Sequence, residues 1–218
     1  MSSDMRELLR QLNALAGPYL PFDTAVAPRQ PEVLFAEWLR MAIDAGIREP
    51  HAMTLSTVDA DGRPDARILI LKDVDEHGWH FAIARNSPKG QQLAHSPQVA
   101  LTFYWPLLGR QVRIRGEALD RGVEYQISDF LARPAASRAV ALLGRQSEIL
   151  ANEQDLADGL AQQQQRLVDH PDLVAPQWAV YAVKAHSIEF WQGDEQRRHT
   201  RLRYVREDHK WRKERLWP

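Results

Sequence analysis

The sequence contains no cysteine. That absence removes disulfides, thiolate catalysis and cysteine-ligated metal, and it fits a reducing compartment. There is no charge surplus either: 28 Lys and Arg stand against 29 Asp and Glu, so no whole-protein field draws the chain to nucleic acid or to an anionic membrane. No window approaches the roughly 18 consecutive apolar residues of a membrane span. The opening "MSSDMRELLRQLNALAGPYLP" lacks the basic-then-apolar order of a signal peptide, and a cytoplasmic location is expected. The eight histidines show no metal-ligand spacing. A Gly-x-Ser-x-Gly elbow, a phosphate-binding loop ending in Lys-Ser/Thr and a Gly-x-Gly-x-x-Gly turn are all missing, so the common hydrolase, NTPase and dinucleotide folds lack their residues.

What is present suits a globular protein that needs no staples: 218 residues, 44% of them apolar. Met5, Leu8, Leu9, Leu12 and Leu15 recur at helical spacing up to Gly17-Pro18. After a Pro-punctuated linker, "PEVLFAEWLRMAIDAGI" opens with proline and closes at Gly46, a well-bounded helix. From Ala52 the texture becomes strand-like. "MTLSTV" and "ARILILK" flank a hairpin signal at Asp61-Gly62. "WHFAIA" follows, then a brief helix in "SPKGQQLAHSP", then "QVALTFYW" and "RQVRIRGEAL" paired around Gly109. Residues 122–167 read as helices interrupted at Pro134 and Gly144, with the run Gln162–Gln165 forming a polar helix face. Four more strands, "QWAVYAV", "SIEFWQ", "TRLRYVR" and "KWRKERL", are expected to end the chain. One domain spanning 1–218, an antiparallel sheet or barrel with peripheral helices, is the economical reading.

Several cations need explaining. In "RPDARILILK", alternation puts Leu69 and Leu71 on one face with Arg67, and Ile68 and Ile70 on the other with Lys72. Apolar residues on both faces imply a strand buried on both sides. A cation near each end is then costly unless it snorkels to water or meets an anion such as phosphate. In "NSPKG", Ser87 is a plausible N-cap, Pro88 suits the first helical position, and Lys89 follows, an arrangement that could seat a phosphate or bind nothing. Arg133 and Ser137 stand one helical turn apart, and Gln146-Ser147 could cap a further helix. In "EFWQGDEQRRHTRLRY", Arg197, His199 and Arg201 would share one face if the segment is extended. The closing residues 197–218 carry nine Lys/Arg against three Asp/Glu, but basic and apolar residues alternate as in strands with one solvated face. That pattern is favoured over nucleic-acid binding.

These segments, in this order, resemble the pyridoxamine 5′-phosphate oxidase family. The resemblance runs from about Pro31 to Pro218. It is carried by "AMTLSTVDADGRPDARILILK", "SPKGQQLAHSPQVALTFYW", "RQVRIRGEA", "RPAAS", "RQSEI", "IEFWQG", "RRHTRLRY" and "RLWP". It implies a mainly β, FMN-binding split β-barrel with peripheral helices, a homodimer with FMN at the subunit interface, and a variable N-terminal segment over 1–30. Arg67, Lys89 and Ser147 would meet the flavin phosphate. Gln111, Gln146, Trp191 and Arg201 would contact other parts of FMN, with Ile68, Leu71 and Lys72 running along it. Lys72, Arg133 and Ser137 would hold the substrate phosphate, and Arg197 and His199 would sit over the pyridine ring as the catalytic pair. The implied reaction oxidises pyridoxine or pyridoxamine 5′-phosphate at the expense of molecular oxygen, and no metal is implied.

The chain also departs from the family pattern. Asp129 replaces a tyrosine of the substrate-phosphate site, and an anion there opposes phosphate unless a cation pairs with it. Pro88 replaces a second flavin-phosphate arginine, "WAV" at Trp178–Val180 replaces Trp-Gly-Gly, and Ala82 and Ile83 stand where polar flavin contacts are common. Ala14 and Gly17 stand near the place of an Arg-x-x-Tyr segment that folds over substrate. Two alternatives stay open: a related flavin oxidase acting on another substrate, such as a phenazine-biosynthesis intermediate, and a flavin-binding split-barrel protein without turnover.

Overall fold

The computed structural model describes residues 2–218. Six α-helices are described: α1 (Ser2–Gln11), α2 (Pro31–Asp44), α3 (Pro88–His95), α4 (Val123–Leu131), α5 (Ala135–Leu143) and α6 (Glu153–Asp169). The nine strands are β1 (Ala52–Val58), β2 (Pro64–Ile70), β3 (Asp73–Asp75), β4 (Gly78–Ala84), β5 (Gln98–Trp105), β6 (Arg110–Asp120), β7 (Trp178–Gln192), β8 (Thr200–Glu207) and β9 (Lys210–Leu216). They form one sheet in the order β2-β1-β5-β6-β7-β4-β3, with β8 paired to β7 and β9 to β8. By packing, the chain divides into two compact units, Met1–His51 with Thr102–Ile114 and His186–Pro218, and Ala52–Leu101 with Arg115–Ala185. The backbone passes from one to the other within β5, β6 and β7.

In the first unit, α2 supplies the core. Pro31 opens it, and its apolar positions bury Leu34, Phe35, Trp38 and Ala42. Gly46 adopts φ +70°, and the Ile47 N–H returns to the Ala42 carbonyl at 3.1 Å, a left-handed stop that a residue without Cβ makes cheaply. Phe35 meets Phe103 edge-on at 4.9 Å, and Trp38 meets Phe190 at 5.2 Å. Arg110, 4% exposed, lies 4.2 Å over the Trp38 ring and donates to Gln192 Oε1 at 2.8 Å. Burial brings its pKa down to about 10. Trp38→Ala removes the plate under both Phe190 and Arg110. It is expected to cost about 3–5 kcal/mol, the usual range for a fully buried aromatic, read as a lowered midpoint in thermal or urea unfolding.

The second unit begins with the β1–β2 hairpin, registered from Ala52↔Ile70 to Val58↔Pro64. Its turn is tied by Asp59, whose Oδ1 accepts from the Asp61 and Arg63 N–H groups at 2.9 and 2.8 Å. Trp79, Phe81, Ile83, Leu55 and Met53 are buried here, and β4 pairs β7 from Trp79↔Val183 to Ala84↔Trp178. The edge of α4 packs on β7, with Phe130 and Trp178 edge-on at 5.9 Å.

Three local expectations need correction. "QWAVYAV" and "SIEFWQ" are one 15-residue strand, β7. The polar Lys184 and His186 between them are exposed positions flanking the buried Ala185 within a continuous strand, not a turn. β2 is not buried on both sides: Ile68 is 65% exposed and Ile70 36%. The strand lies at the end of the sheet path, and alternation reports apolar faces without saying what covers them. Gln146 and Ser147 cap no helix, because α6 starts at Glu153 with Asn152 Oδ1 accepting from the Asp155 N–H at 2.9 Å.

Candidate functional site

The second unit encloses a cavity of about 590 Å³. Ile68, Leu69 and Ile70 of β2 and Ala82 and Ile83 of β4 give it apolar walls, while Lys72, Lys89, Arg133 and Gln146 bring polar heads to it. Each of these cations is placed by a different device.

Lys89 is set by the start of α3. Ser87 caps the helix, its Oγ accepting from the Gly90 N–H at 3.3 Å. Gly90 must be glycine, because a Cβ there would lie 2.3 Å from the Arg85 carbonyl oxygen. This close approach sinks Lys89 to 7% exposure. Its Nζ donates to Gln146 Oε1 at 2.9 Å, an acceptor without charge. Burial, then the nearby Arg67 guanidinium, lowers the Lys89 pKa, with Asp65 opposing them. Arg67 donates to Thr57 Oγ1 at 2.7 Å and to Asp65 Oδ2 at 2.5 Å. Asp65 is thus taken by Arg67, and Lys89 keeps a buried positive charge that an anionic ligand would satisfy.

A second cationic group forms where α4 ends. The Lys72 N–H donates to the His80 carbonyl at 2.8 Å, which fixes the residue beside β4. Its Nζ lies 3.2 Å from Asp129 Oδ1. The other oxygen, Asp129 Oδ2, accepts from the Trp178 indole N–H at 2.8 Å. Arg133 stacks 4.1 Å over the same indole. Burial lowers the Arg133 pKa while Asp129 raises it. Its Nε is buried without a hydrogen-bond partner among the described residues. Ser137 stands in the first turn of α5, and its carbonyl accepts from Arg133 at 3.5 Å. Among the described residues, neither Lys89 nor Arg133 forms an ion pair, whereas Arg67 and Lys72 each do. Leu71 is buried, and Ser147, with φ +72°, is exposed; neither they nor Arg67 nor Ser137 lines the cavity.

In the first unit a separate cluster forms where β7 pairs β8. Trp191 faces Arg201 in register. Glu189, 6% exposed, accepts from Arg113 at 2.5 Å and from Arg201 at 2.8 Å. Gln111 lies on β6, half-buried. Arg197, His199 and Arg201 do not share a strand face, because β8 begins only at Thr200. Asp194 folds the preceding residues into a turn, its Oδ1 accepting from the Gln196 and Arg198 N–H groups at 2.9 and 3.1 Å. Arg197 there takes φ +65° and points an exposed side chain outward. His199 Nδ1 accepts from the Asp194 N–H at 3.1 Å, which leaves the proton of the neutral ring on Nε2. Its ring lies 4.8 Å from Trp191.

Sequence reasoning did not pick out Glu189, Asp194, Asp65 or Gln92. Asp65 carried a usable signal, since it stands two residues before Arg67 on one strand face. Glu189 meets Arg113 and Arg201 only through strand pairing, Asp194 acts through a turn, and Gln92 accepts from Arg67 at 3.2 Å out of α3.

Residues 39–161 match the family model described as pyridoxamine 5′-phosphate oxidase, and residues 178–218 match the pyridoxine 5′-phosphate oxidase C-terminal dimerisation region. The pyridoxine/pyridoxamine 5′-phosphate oxidase of Pseudomonas paraeruginosa is 42% identical over 89% of this chain and 91% of its own. The chain belongs to the pyridoxamine 5′-phosphate oxidase family. The Haemophilus influenzae oxidase of the same name is also 42% identical, over 84% of this chain and 87% of its own. Among solved structures, PhzG from Burkholderia lata 383, in complex with tetrahydrophenazine-1-carboxylic acid, superposes with a TM-score of 0.86 at 27% identity, covering 93% of this chain and all of that one. A pyridoxamine 5′-phosphate oxidase-related, FMN-binding protein of Nostoc punctiforme shares the fold at a TM-score of 0.69 and 17% identity, over 90% of this chain and all of that one. The fold is thus the mainly β split barrel with flanking helices, and family membership makes the chain an FMN-dependent oxidoreductase. The residues present fit that cofactor. A buried lysine without a counter-ion suits a phosphate monoester, and apolar walls suit a flat ring. Among the described residues no cluster could hold a metal, and no helix is long and apolar enough to cross a membrane.

Proposed function

We propose that this protein oxidises pyridoxine 5′-phosphate or pyridoxamine 5′-phosphate to pyridoxal 5′-phosphate, with O₂ reduced to H₂O₂, as a homodimer that holds FMN at the subunit interface. The observation that carries this reading is one apolar-walled cavity bearing two cations, Lys89 and Arg133, that lack carboxylate partners. Two phosphate-bearing molecules, a coenzyme and a substrate, supply the two anions such a wall calls for.

In this reading Lys89, Arg67 and Ser147 take the FMN phosphate, Ile68 and Leu71 flank the coenzyme, and Gln111, Gln146, Trp191 and Arg201 meet its remaining polar edges. Lys72, Arg133 and Ser137 hold the substrate phosphate. The stacking of Arg133 on Trp178 fixes the plane of its guanidinium, so its paired donors are already oriented before substrate arrives. His199 presents an Nε2–H, because its other nitrogen is held by Asp194; it donates to the substrate ring beside the carbon that is oxidised. Arg197, aimed outward by its left-handed turn, adds a positive charge over the same ring. FMN, when bound, supplies the two-electron redox chemistry, and the protein supplies position and charge. The exposed apolar residues of β2 make sense on this view as the face a second copy covers.

Anaerobic mixing with each phosphorylated vitamer tests the proposal. The flavin absorbance should bleach within the mixing experiment and return on admitting O₂, with H₂O₂ formed in step. A flavin that stays oxidised in the presence of both vitamers rules the proposal out. The Lys72–Asp129 pair favours a second reading, an oxidase for a substrate bearing a carboxylate in place of phosphate. Bleaching by an aromatic carboxylic acid, and by neither vitamer, would select it.

A further inference from the structure

We infer that Asp129 is a built-in counter-ion that competes with the substrate's phosphate for Lys72, so that this one carboxylate sets how strongly the cavity selects a dianionic ester. The inference rests on the reading above, in which Lys72 and Arg133 face the substrate phosphate.

Asp129 is fully engaged by its own chain. Oδ1 holds Lys72 at 3.2 Å and Oδ2 accepts from the Trp178 indole at 2.8 Å. Its side chain is 17% exposed and that of Lys72 31%, so water screens the pair only in part. Arg133 has no such partner: it stacks on the same Trp178, is buried at Nε and forms no ion pair among the described residues. Two cations and one carboxylate leave the group a net charge of one. A phosphate monoester near neutral pH carries roughly −1.5 to −2, more than that surplus balances, while a singly charged anion matches it. A phosphate approaching Lys72 must therefore share it with Asp129 or push the carboxylate away, and it meets the repulsion of an anion held close by. The indole bond makes that displacement costly, because moving Asp129 strands a buried donor on Trp178. Arg133 is left as the principal ligand of the phosphate.

Two substitutions test this. D129N keeps an oxygen for the Trp178 N–H and removes the charge. Its KM for pyridoxine 5′-phosphate should fall about tenfold, the scale of one hydrogen bond to a charged group, whereas the KM for unphosphorylated pyridoxine should not move. In the double variant K72M/D129N the net charge is again that of Arg133 alone, and the KM for the phosphate ester should return close to the wild-type value. A D129N enzyme whose KM for the ester is unchanged or higher, or a double variant that binds the ester far more weakly than wild type, overturns the inference. A parallel measurement separates it from the functional proposal. Inorganic phosphate is titrated calorimetrically into the FMN-loaded proteins, where tighter binding to D129N than to wild type supports the counter-ion and equal or weaker binding refutes it. If wild type and D129N turn over neither vitamer, the proposed reaction fails, and the phosphate titration still decides the role of Asp129.

Discussion

Lys89→Met is expected to yield a protein that purifies nearly colourless and binds added FMN about a hundredfold more weakly than wild type. The size follows from removing the proposed charge-assisted contact between the buried Lys89 and the flavin phosphate. Each such bond contributes about 1.5–3 kcal/mol, and Lys89 is 7% exposed. The fold should not suffer. Lys89 already carries a desolvation cost that lowers its pKa, and its partner Gln146 is exposed enough to turn to water. An apolar chain of similar length in that slot removes the cost. FMN affinity and apo stability should therefore move in opposite directions: fluorescence titration shows the weakened binding, while the thermal midpoint of the apo protein holds or rises. If K89M binds FMN as tightly as wild type, Lys89 has been misplaced in the phosphate seat.

Arg197→Met should have the opposite profile, with flavin content preserved and turnover of pyridoxine 5′-phosphate lowered by about a hundredfold or more, the usual scale when a group that orients and charges a reacting ring is lost. The backbone there is not sustained by the guanidinium. Asp194 accepts the turn's N–H groups and the Arg197 N–H meets the Asp194 carbonyl at 3.0 Å. Methionine meets the same strain at φ +65° that arginine does. Arg198, the neighbouring exposed cation, lies 4.0 Å from Asp194, and R198M serves as the control that keeps its rate. Rapid-mixing kinetics under anaerobic conditions place the loss in the reductive half-reaction. Equal rates for R197M and wild type would remove Arg197 from the catalytic role.

Both variants rest on residues that were visible in the sequence, but not for the same reason. Lys89 could be read because Ser87 and Pro88 stand immediately before it and each answers to a local rule of helix starts. Arg197 could be named by resemblance, yet its geometry was misjudged. Alternation at 197, 199 and 201 looks like strand periodicity, whereas Asp194 and a left-handed residue build a turn that local spacing cannot reveal. The edge strand β2 failed in the same manner. Its two apolar faces were legible, and their exposure was not, since cover is supplied by residues far away in the chain or outside it.

Asp129 is the sharpest case. Resemblance to the family marked it as an anion at the expected substrate-phosphate position, and left open which cation would answer it. Arg133, four residues on, was the local candidate, but the ion pair goes to Lys72, 57 positions earlier by their numbers. The basic tail shows a similar dependence. Arg203 and Arg212 are matched by Glu214 and Glu207 across the β8–β9 pairing, which gives the alternating charges a structural task.

The sequence by itself determined most of the elements, through periodicity, caps and turn residues, because those are settled by neighbours within a few positions; it split β7 in two, ran the first helix past its end at Gln11 and missed the short β3. It also determined the inventory of cations and the absence of thiol chemistry. Only the tertiary structure decided which cations keep an unmet charge. That balance depends on burial and on carboxylates brought in by strand pairing and helix packing, and a Coulomb interaction responds to distance in space, not to separation along the chain.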